Sequence, residues 1–133
     1  MTQDSSEKKT YTGGCHCRSN IYEFKCPPLD SPKAELHYCN CSYCKYDTGV
    51  SIAVPSSDFR FLKGSMENMT GYFFANKRIG QYFCKTCGVT ILAHFDKMDE
   101  YIVGLRCVDD FELTDEIAKR AKLYDGKSVA IKT

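Results

Sequence analysis

The chain has 133 residues, is 43% hydrophobic and 26% charged, and carries a formal net charge of +1. These values suit one modest folded core and argue against a dedicated nucleic-acid binder, which shows a clear basic excess. No apolar run approaches the roughly 20 residues that cross a bilayer.

Taken from the start, residues 1–10 are polar and lack the apolar stretch of a secretory signal, so they are read as a flexible leader before a single domain over residues 11–133. From Asn20 to Cys26, Tyr22, Phe24 and Cys26 alternate with Ile21, Glu23 and Lys25, the period of a strand. Pro27, Pro28 and Pro32 then mark a loop. Val50, Ile52 and Val54 share one face of a second strand, stopped by Pro55. Phe59 and Phe61 share a face in a third, ending near Gly64. Gly71 to Ala75 reads as an aromatic strand. Val89, Ile91, Ala93 and Phe95 alternate with Thr90, Leu92 and His94. Tyr101 to Val108 is apolar enough for a central strand. Thr114, Asp115 and Glu116 ahead of Ile117, Ala118, Ala121 and Leu123, with Lys119, Arg120 and Lys122 following and Gly126 beyond, predict a short C-terminal helix. Strand after strand at short spacing predicts a mostly β fold.

Nine cysteines stand out, and seven of them form three tight groups: Cys15 and Cys17; Cys39, Cys41 and Cys44; Cys84 and Cys87. A disulfide framework fits poorly with an odd count, the clustering and the missing signal segment. Reduced, grouped cysteines point to zinc and to a cytoplasmic setting, with the nucleus a second possibility. Cys84-Lys85-Thr86-Cys87 is a zinc half-site, and Gly88 supplies the permissive backbone such a turn needs. The alternative, a redox C-x-x-C motif, lacks the surrounding βαβ pattern. A four-plus-three partition is the tidiest: Cys15, Cys17, Cys84 and Cys87 close one site and tie distant segments together, while Cys39, Cys41 and Cys44 form another. Three protein ligands leave a position for water or substrate, as in a catalytic zinc site. Equally, a fourth ligand from Cys26, Cys107, His16, His37 or His94 would close it. Cys26 and Cys107 sit in apolar stretches and read as core, and His94 as lying on a wetter face.

The motifs resemble those of the glutathione-dependent formaldehyde-activating enzymes, a family that includes centromere-protein-V-like proteins. Gly13-Gly14-Cys15-His16-Cys17 is similar to its opening motif. Cys39-Asn40-Cys41-Ser42-Tyr43-Cys44, with Gly49 after it, resembles its central motif. Phe83-Cys84-Lys85-Thr86-Cys87-Gly88 resembles its third. Val103 to Asp110 and Asp125-Gly126-Lys127-Ser128 resemble the tail of its fungal members. The likeness spans Tyr11 to Ser128.

The resemblance implies a zinc-binding β-tent fold of mostly antiparallel strands with two zinc ions. Cys15, Cys17, Cys84 and Cys87 would hold the structural ion, and Cys39, Cys41 and Cys44 the catalytic one. It implies a carbon–sulfur lyase that forms or cleaves S-hydroxymethylglutathione or a similar thiol adduct, with glutathione as the small-molecule thiol partner. Three thiolates offset the charge of Zn²⁺, so proximity is expected to supply most of the acceleration. Asn40 stands where the family pattern has histidine, and Lys45-Tyr46 where it has a basic pair. Lys45, Arg78 and Arg106 are left as candidates to meet the glutathione carboxylates, against the ordinary reading of each as surface charge. The competing functions are a non-catalytic zinc-binding interaction module and a metal-buffering or redox protein. Neither membrane nor nucleic acid is expected as a partner.

Overall fold

The computed structural model describes residues 8–45, 49–75, 77–95 and 98–127; the first seven residues of the expected leader, Tyr46 and Ser128 lie outside them. The strand predicted from the Tyr22/Phe24/Cys26 alternation is β2 (Ile21–Cys26), and those three side chains are buried while the intervening ones are not. It pairs antiparallel with β1 (Lys9–Gly14) on one side and β5 (Phe59–Lys63) on the other, giving a three-stranded sheet. β1 begins inside the expected leader. Its backbone is engaged by β2, with Lys9 opposite Cys26, and Lys8 is anchored by an ion pair to Asp58 at 2.7 Å.

The second sheet holds seven strands in the order β10-β3-β4-β9-β8-β7-β6. Its members are β3 (Leu36–Cys39), β4 (Ser51–Pro55), β6 (Met69–Phe74), β7 (Ile79–Cys84), β8 (Thr90–Phe95), β9 (Glu100–Gly104) and β10 (Lys122–Tyr124). All pairings are antiparallel except that of β10 with β3. The mostly β, largely antiparallel architecture expected from the sequence is therefore present, with one short helix. One face of the large sheet packs on the small sheet. Tyr22, Phe24, Leu29, Leu36, Val54 and Leu105 are each at most 1% exposed in that core. Burying side chains of this size contributes about 1.5–3 kcal/mol each.

Three elements differ from the sequence reading. The predicted central strand over 101–108 is interrupted: β9 stops at Gly104, a 3-10 turn covers Leu105–Cys107, and Val108 then bridges to Gly13. The helix α1 (Asp115–Ala118) is only one turn long, capped where Thr114 Oγ1 accepts from the Ile117 amide at 3.3 Å. Leu123, expected on that helix, instead lies in β10. Hydrogen bonds from Arg120 to the carbonyls of Leu29 and Asp30 turn the chain toward β3, where Lys122 aligns with His37. A parallel ladder formed with a distant strand has outcompeted local helix propensity.

Candidate metal centres and the adjoining cavity

Two turns build the first centre. The β1–β2 turn carries Cys15 and Cys17; Cys84 ends β7, and Cys87 lies in the turn that follows it. The second turn is held by the Gly88 amide donating to the Cys84 carbonyl at 2.9 Å, with Gly88 at φ 79°, a left-handed conformation glycine adopts without a Cβ penalty. Gly13 meets a different demand. A Cβ there would stand 2.5 Å from the Cys107 carbonyl oxygen and 2.7 Å from the Tyr22 hydroxyl.

The four sulfurs lie within 4.8 Å of one another, with Cys15 to Cys17 at 3.7 Å and Cys17 to Cys84 at 3.6 Å. A tetrahedron with Zn–S near ~2.3 Å has edges of about 3.8 Å, whereas a disulfide needs about 2.05 Å. The spacing fits one zinc ion held by four thiolates, and all four cysteines are free of disulfides.

Supporting groups surround this centre. The Ser19 hydroxyl lies 3.0 Å from Cys17 Sγ and 3.4 Å from Cys84 Sγ. Its hydrogen bond, followed by those from the Cys87 and Thr86 amides, holds the Cys84 thiol down to about 5. Asn20, fully buried, directs Nδ2 at Cys15 Sγ across 3.9 Å. Arg18 forms a bidentate pair with Asp109 at 2.9 and 3.0 Å, and Asp109 also accepts from Thr12 Oγ1 at 3.1 Å. The Arg18 guanidinium holds the Asp109 carboxyl below the usual carboxylate range.

Neither Ser19 nor Asn20 is singled out by the sequence, because a lone hydroxyl or amide beside a cysteine motif has no spacing rule. Their role is testable through acid release of zinc. Cys84 sits below its ordinary value of 9.0 in the folded chain. The thiolate's contribution is therefore full above pH 9 and fades as pH falls toward about 5. Ser19→Ala should raise the Cys84 thiol and let protons displace the metal earlier. The expected result is a release midpoint at higher pH and roughly 10–100-fold weaker zinc binding, read with a chromogenic chelator. An unchanged midpoint would remove Ser19 from the site.

The second centre forms where β3 ends. Cys39 is its last residue, and Cys41 and Cys44 follow in a turn closed by the Lys45 amide donating to the Cys41 carbonyl at 3.1 Å. The three sulfurs again lie within 4.8 Å of one another, and among the described residues no histidine, carboxylate or other cysteine joins them. Cys26, at 3% exposure, is core as expected. His94 is half-buried against the Tyr101 ring at 5.4 Å.

The Tyr43 ring fastens the turn by stacking on Phe74 at 5.3 Å and on Tyr72 at 6.0 Å. Burial pushes the Cys39 and Cys44 thiols up, and for Cys44 the neighbouring sulfurs of Cys39 and Cys41 add to it. Burial works in the same direction on Cys41, but the Cys44 amide and adjacent thiols outweigh it and bring Cys41 down. Three crowded thiols do not ionise together without a cation between them. The donor set therefore fits a zinc ion bound by three sulfurs.

Asn40, between the first two of these cysteines, performs a mechanical task. Its Nδ2 donates to Asp125 Oδ1 at 2.8 Å, and its Oδ1 accepts from the Lys127 amide at 2.9 Å. The segment after β10 is thereby tied to the cysteine turn. Asn40→Ala is expected to speed hydrogen exchange at the Lys127 amide and through β10 by about tenfold, the loss of one to two hydrogen bonds, while leaving β8 and β9 protected. Uniform exchange across all strands would contradict this role.

The triplet borders a cavity of about 350 Å³ on the face of the large sheet opposite the core. Of the three cations considered for glutathione, Arg106 lines it. Lys45 and Arg78 do not: Lys45 is exposed beyond Cys44, and Arg78 donates to the Ala75 carbonyl at 3.0 Å. Cys107, expected as core, instead lines this cavity half-buried and donates to the Thr90 carbonyl at 3.4 Å, because the 3-10 turn rotates it off the strand.

Residues 10–127 match the family described as "Glutathione-dependent formaldehyde-activating enzyme". A crystal structure of a Rhodobacter sphaeroides protein superposes with a TM-score of 0.68 at 24% identity, over 85% of this chain and 99% of that one. It is similar in fold. No curated protein sequence matches the chain.

Proposed function

The chain belongs to the family of glutathione-dependent formaldehyde-activating enzymes, and on that footing we propose that it is a zinc-dependent carbon–sulfur lyase joining glutathione to formaldehyde or a similar aldehyde, or cleaving the adduct. The observation that carries this reading is the inequality of the two cysteine groups. Four sulfurs surround one point, whereas three surround the other, at the edge of a cavity. Cys15, Cys17, Cys84 and Cys87 are assigned the structural ion, and Cys39, Cys41 and Cys44 the catalytic one. When bound by the triplet, zinc supplies a fourth position for a thiol and favours its thiolate form.

The chain's own part is to position. Tyr43, clamped on Phe74, fixes the turn that presents the three sulfurs. Phe74 and Ile79, packed against Cys41, shield it from water. The cavity wall holds the carbonyl carbon close to the sulfur, so that effective concentration does most of the catalytic work. Arg106, at the cavity, is the candidate for a glutathione carboxylate. Thiol chemistry of this kind suits the cytoplasm, with the nucleus a second compartment open to it; among the described residues no helix is long and apolar enough to cross a membrane.

The test is adduct formation from glutathione and formaldehyde, followed by exchange spectroscopy with zinc-loaded protein against the spontaneous rate. Acceleration that disappears on chelation supports the lyase. A rate equal to background with both metals bound would leave a non-catalytic zinc module as the better description.

A further inference from the structure

The cavity beside the triplet is far larger and more apolar than formaldehyde requires. Its 350 Å³ is roughly ten times the ~30 Å³ taken up by one water, and formaldehyde has only two heavy atoms. The volume lies instead in the range of sites that hold small organic molecules.

Its floor is built by a single row across four strands. Ala53 of β4 pairs with Ile102 of β9, Ile102 with Ala93 of β8, and Ala93 with Gln81 of β7. Beside that row, Ile79 is opposite Phe95, and Ser51 is opposite Gly104. Ala53, Ala93 and Gly104 contribute small or no side chains to this face, beside the larger Ile102 and Gln81. The partners of these residues on the other face, such as Val54, Leu92 and Val103, fill the core.

Charge narrows the choice of occupant. Among the described residues, Arg106 and Glu100 are the charged side chains of the lining, one of each sign. A tripeptide with two carboxylates and an ammonium group can use Arg106 and Glu100, but the floor of Ala53, Ile102 and Ala93 offers it only apolar contact. An alkyl or aryl chain finds a matching surface.

We propose that this cavity binds the apolar chain of a larger aldehyde, so that the site handles thiohemiacetals of glutathione with medium-chain or aromatic aldehydes in preference to the formaldehyde adduct. The inference rests on the lyase reading for its chemistry. Glutathione sits at the triplet, and the aldehyde's chain runs over Ala53, Ile102 and Ala93. In the forward direction the thiol S–H and the carbonyl π bond break, while a C–S and an O–H bond form. The thiol proton ends on the former carbonyl oxygen, and nothing is oxidised or reduced.

Two measurements test it on the zinc-loaded protein. The first is calorimetric binding of S-methyl-, S-butyl- and S-hexylglutathione, unreactive thioether analogues of the adducts. Each fully buried CH₂ should tighten binding about fourfold, so the hexyl compound should bind at least about 30-fold more tightly than the methyl one, a cautious bound that allows for partial burial. The second is kcat/KM for hexanal relative to formaldehyde with glutathione, expected to exceed one after correction for the spontaneous rates.

Gly104→Leu fills the cavity without backbone strain, since a Cβ there meets only the Ile91 carbonyl oxygen at 3.5 Å. It should abolish the chain-length dependence in both measurements. Ala53→Leu, at an exposed position of β4, is the second variant should the first fold poorly. Binding independent of chain length, or chain-length dependence that survives both variants, overturns the proposal. Chain-length-dependent binding, lost in the variants but with neither aldehyde turned over, supports the cavity assignment and overturns the lyase reading instead.

Discussion

Cys84→Ser is expected to yield a chain that does not fold to the native state, recovered as insoluble or unstructured protein. The closed centre joins turns 67 positions apart in sequence at Cys17 and Cys84, and through them β1 and β2 of one sheet to β7 and β8 of the other. A cross-link around a loop of that length is worth about 4 kcal/mol in chain entropy alone. Structural zinc in small domains contributes about 10–16 kcal/mol of apparent binding energy to folding, against a net stability of about 5–15 kcal/mol. Losing one of four ligands weakens a term that is itself as large as the whole stability. Cys87→Ser should behave alike. Near-UV circular dichroism and thermal unfolding check it: no cooperative transition is expected in either variant. A wild-type melting curve would show that the four sulfurs are not a folding site.

Cys41→Ser should separate activity from folding. Cys41 lies in a small cluster with Phe74, Ala75 and Ile79, apart from the main core of Tyr22, Phe24 and Leu36. The substitution leaves a hydroxyl in a site only 2% exposed, a cost of about 1–3 kcal/mol. The protein should remain folded, with a melting temperature a few degrees lower. Glutathione–aldehyde turnover should fall to the spontaneous rate, a loss greater than the roughly 10–100-fold that follows from removing a supporting hydrogen bond. Retained turnover in folded Cys41→Ser would place the chemistry elsewhere.

Much of this was legible in the chain because it rests on local spacing. The β2 alternation Tyr22/Phe24/Cys26 places a buried face, and Ile52 and Val54 do the same for β4. Thr114 caps α1 because a hydroxyl before Asp115 and Glu116 is a local signal. The cysteine groups are visible from their clustering, although pairing Cys15 and Cys17 with Cys84 and Cys87 requires two sheets to meet.

What escaped reading depends on distant partners. β1 contains Gly13 and Gly14, poor strand formers, retained because the Cys107 carbonyl and Tyr22 ring leave no room at Gly13 for a side chain. β10 is three exposed residues that become a strand by lying beside β3. β7 is masked by Gly80 and Gln81, which break its apolar pattern. The cavity is harder still to foresee. Ala53, Ala93 and Gly104 are unremarkable in three separate strands, and only the register of β4, β8 and β9 brings them together.

Asn40, read from the sequence as a departure from the resembled motif, has a mechanical task in the fold. As a hydrogen-bonding clamp on Asp125 and Lys127, its amide both donates and accepts.

Zinc counted per chain in natively purified protein, before and after Cys41→Ser, addresses the two unequal centres most directly. Two ions per wild-type chain are predicted, with one retained in the folded variant. Wild-type protein that is folded and active with no metal, or whose Cys15 and Cys84 are oxidised to disulfides, would contradict it.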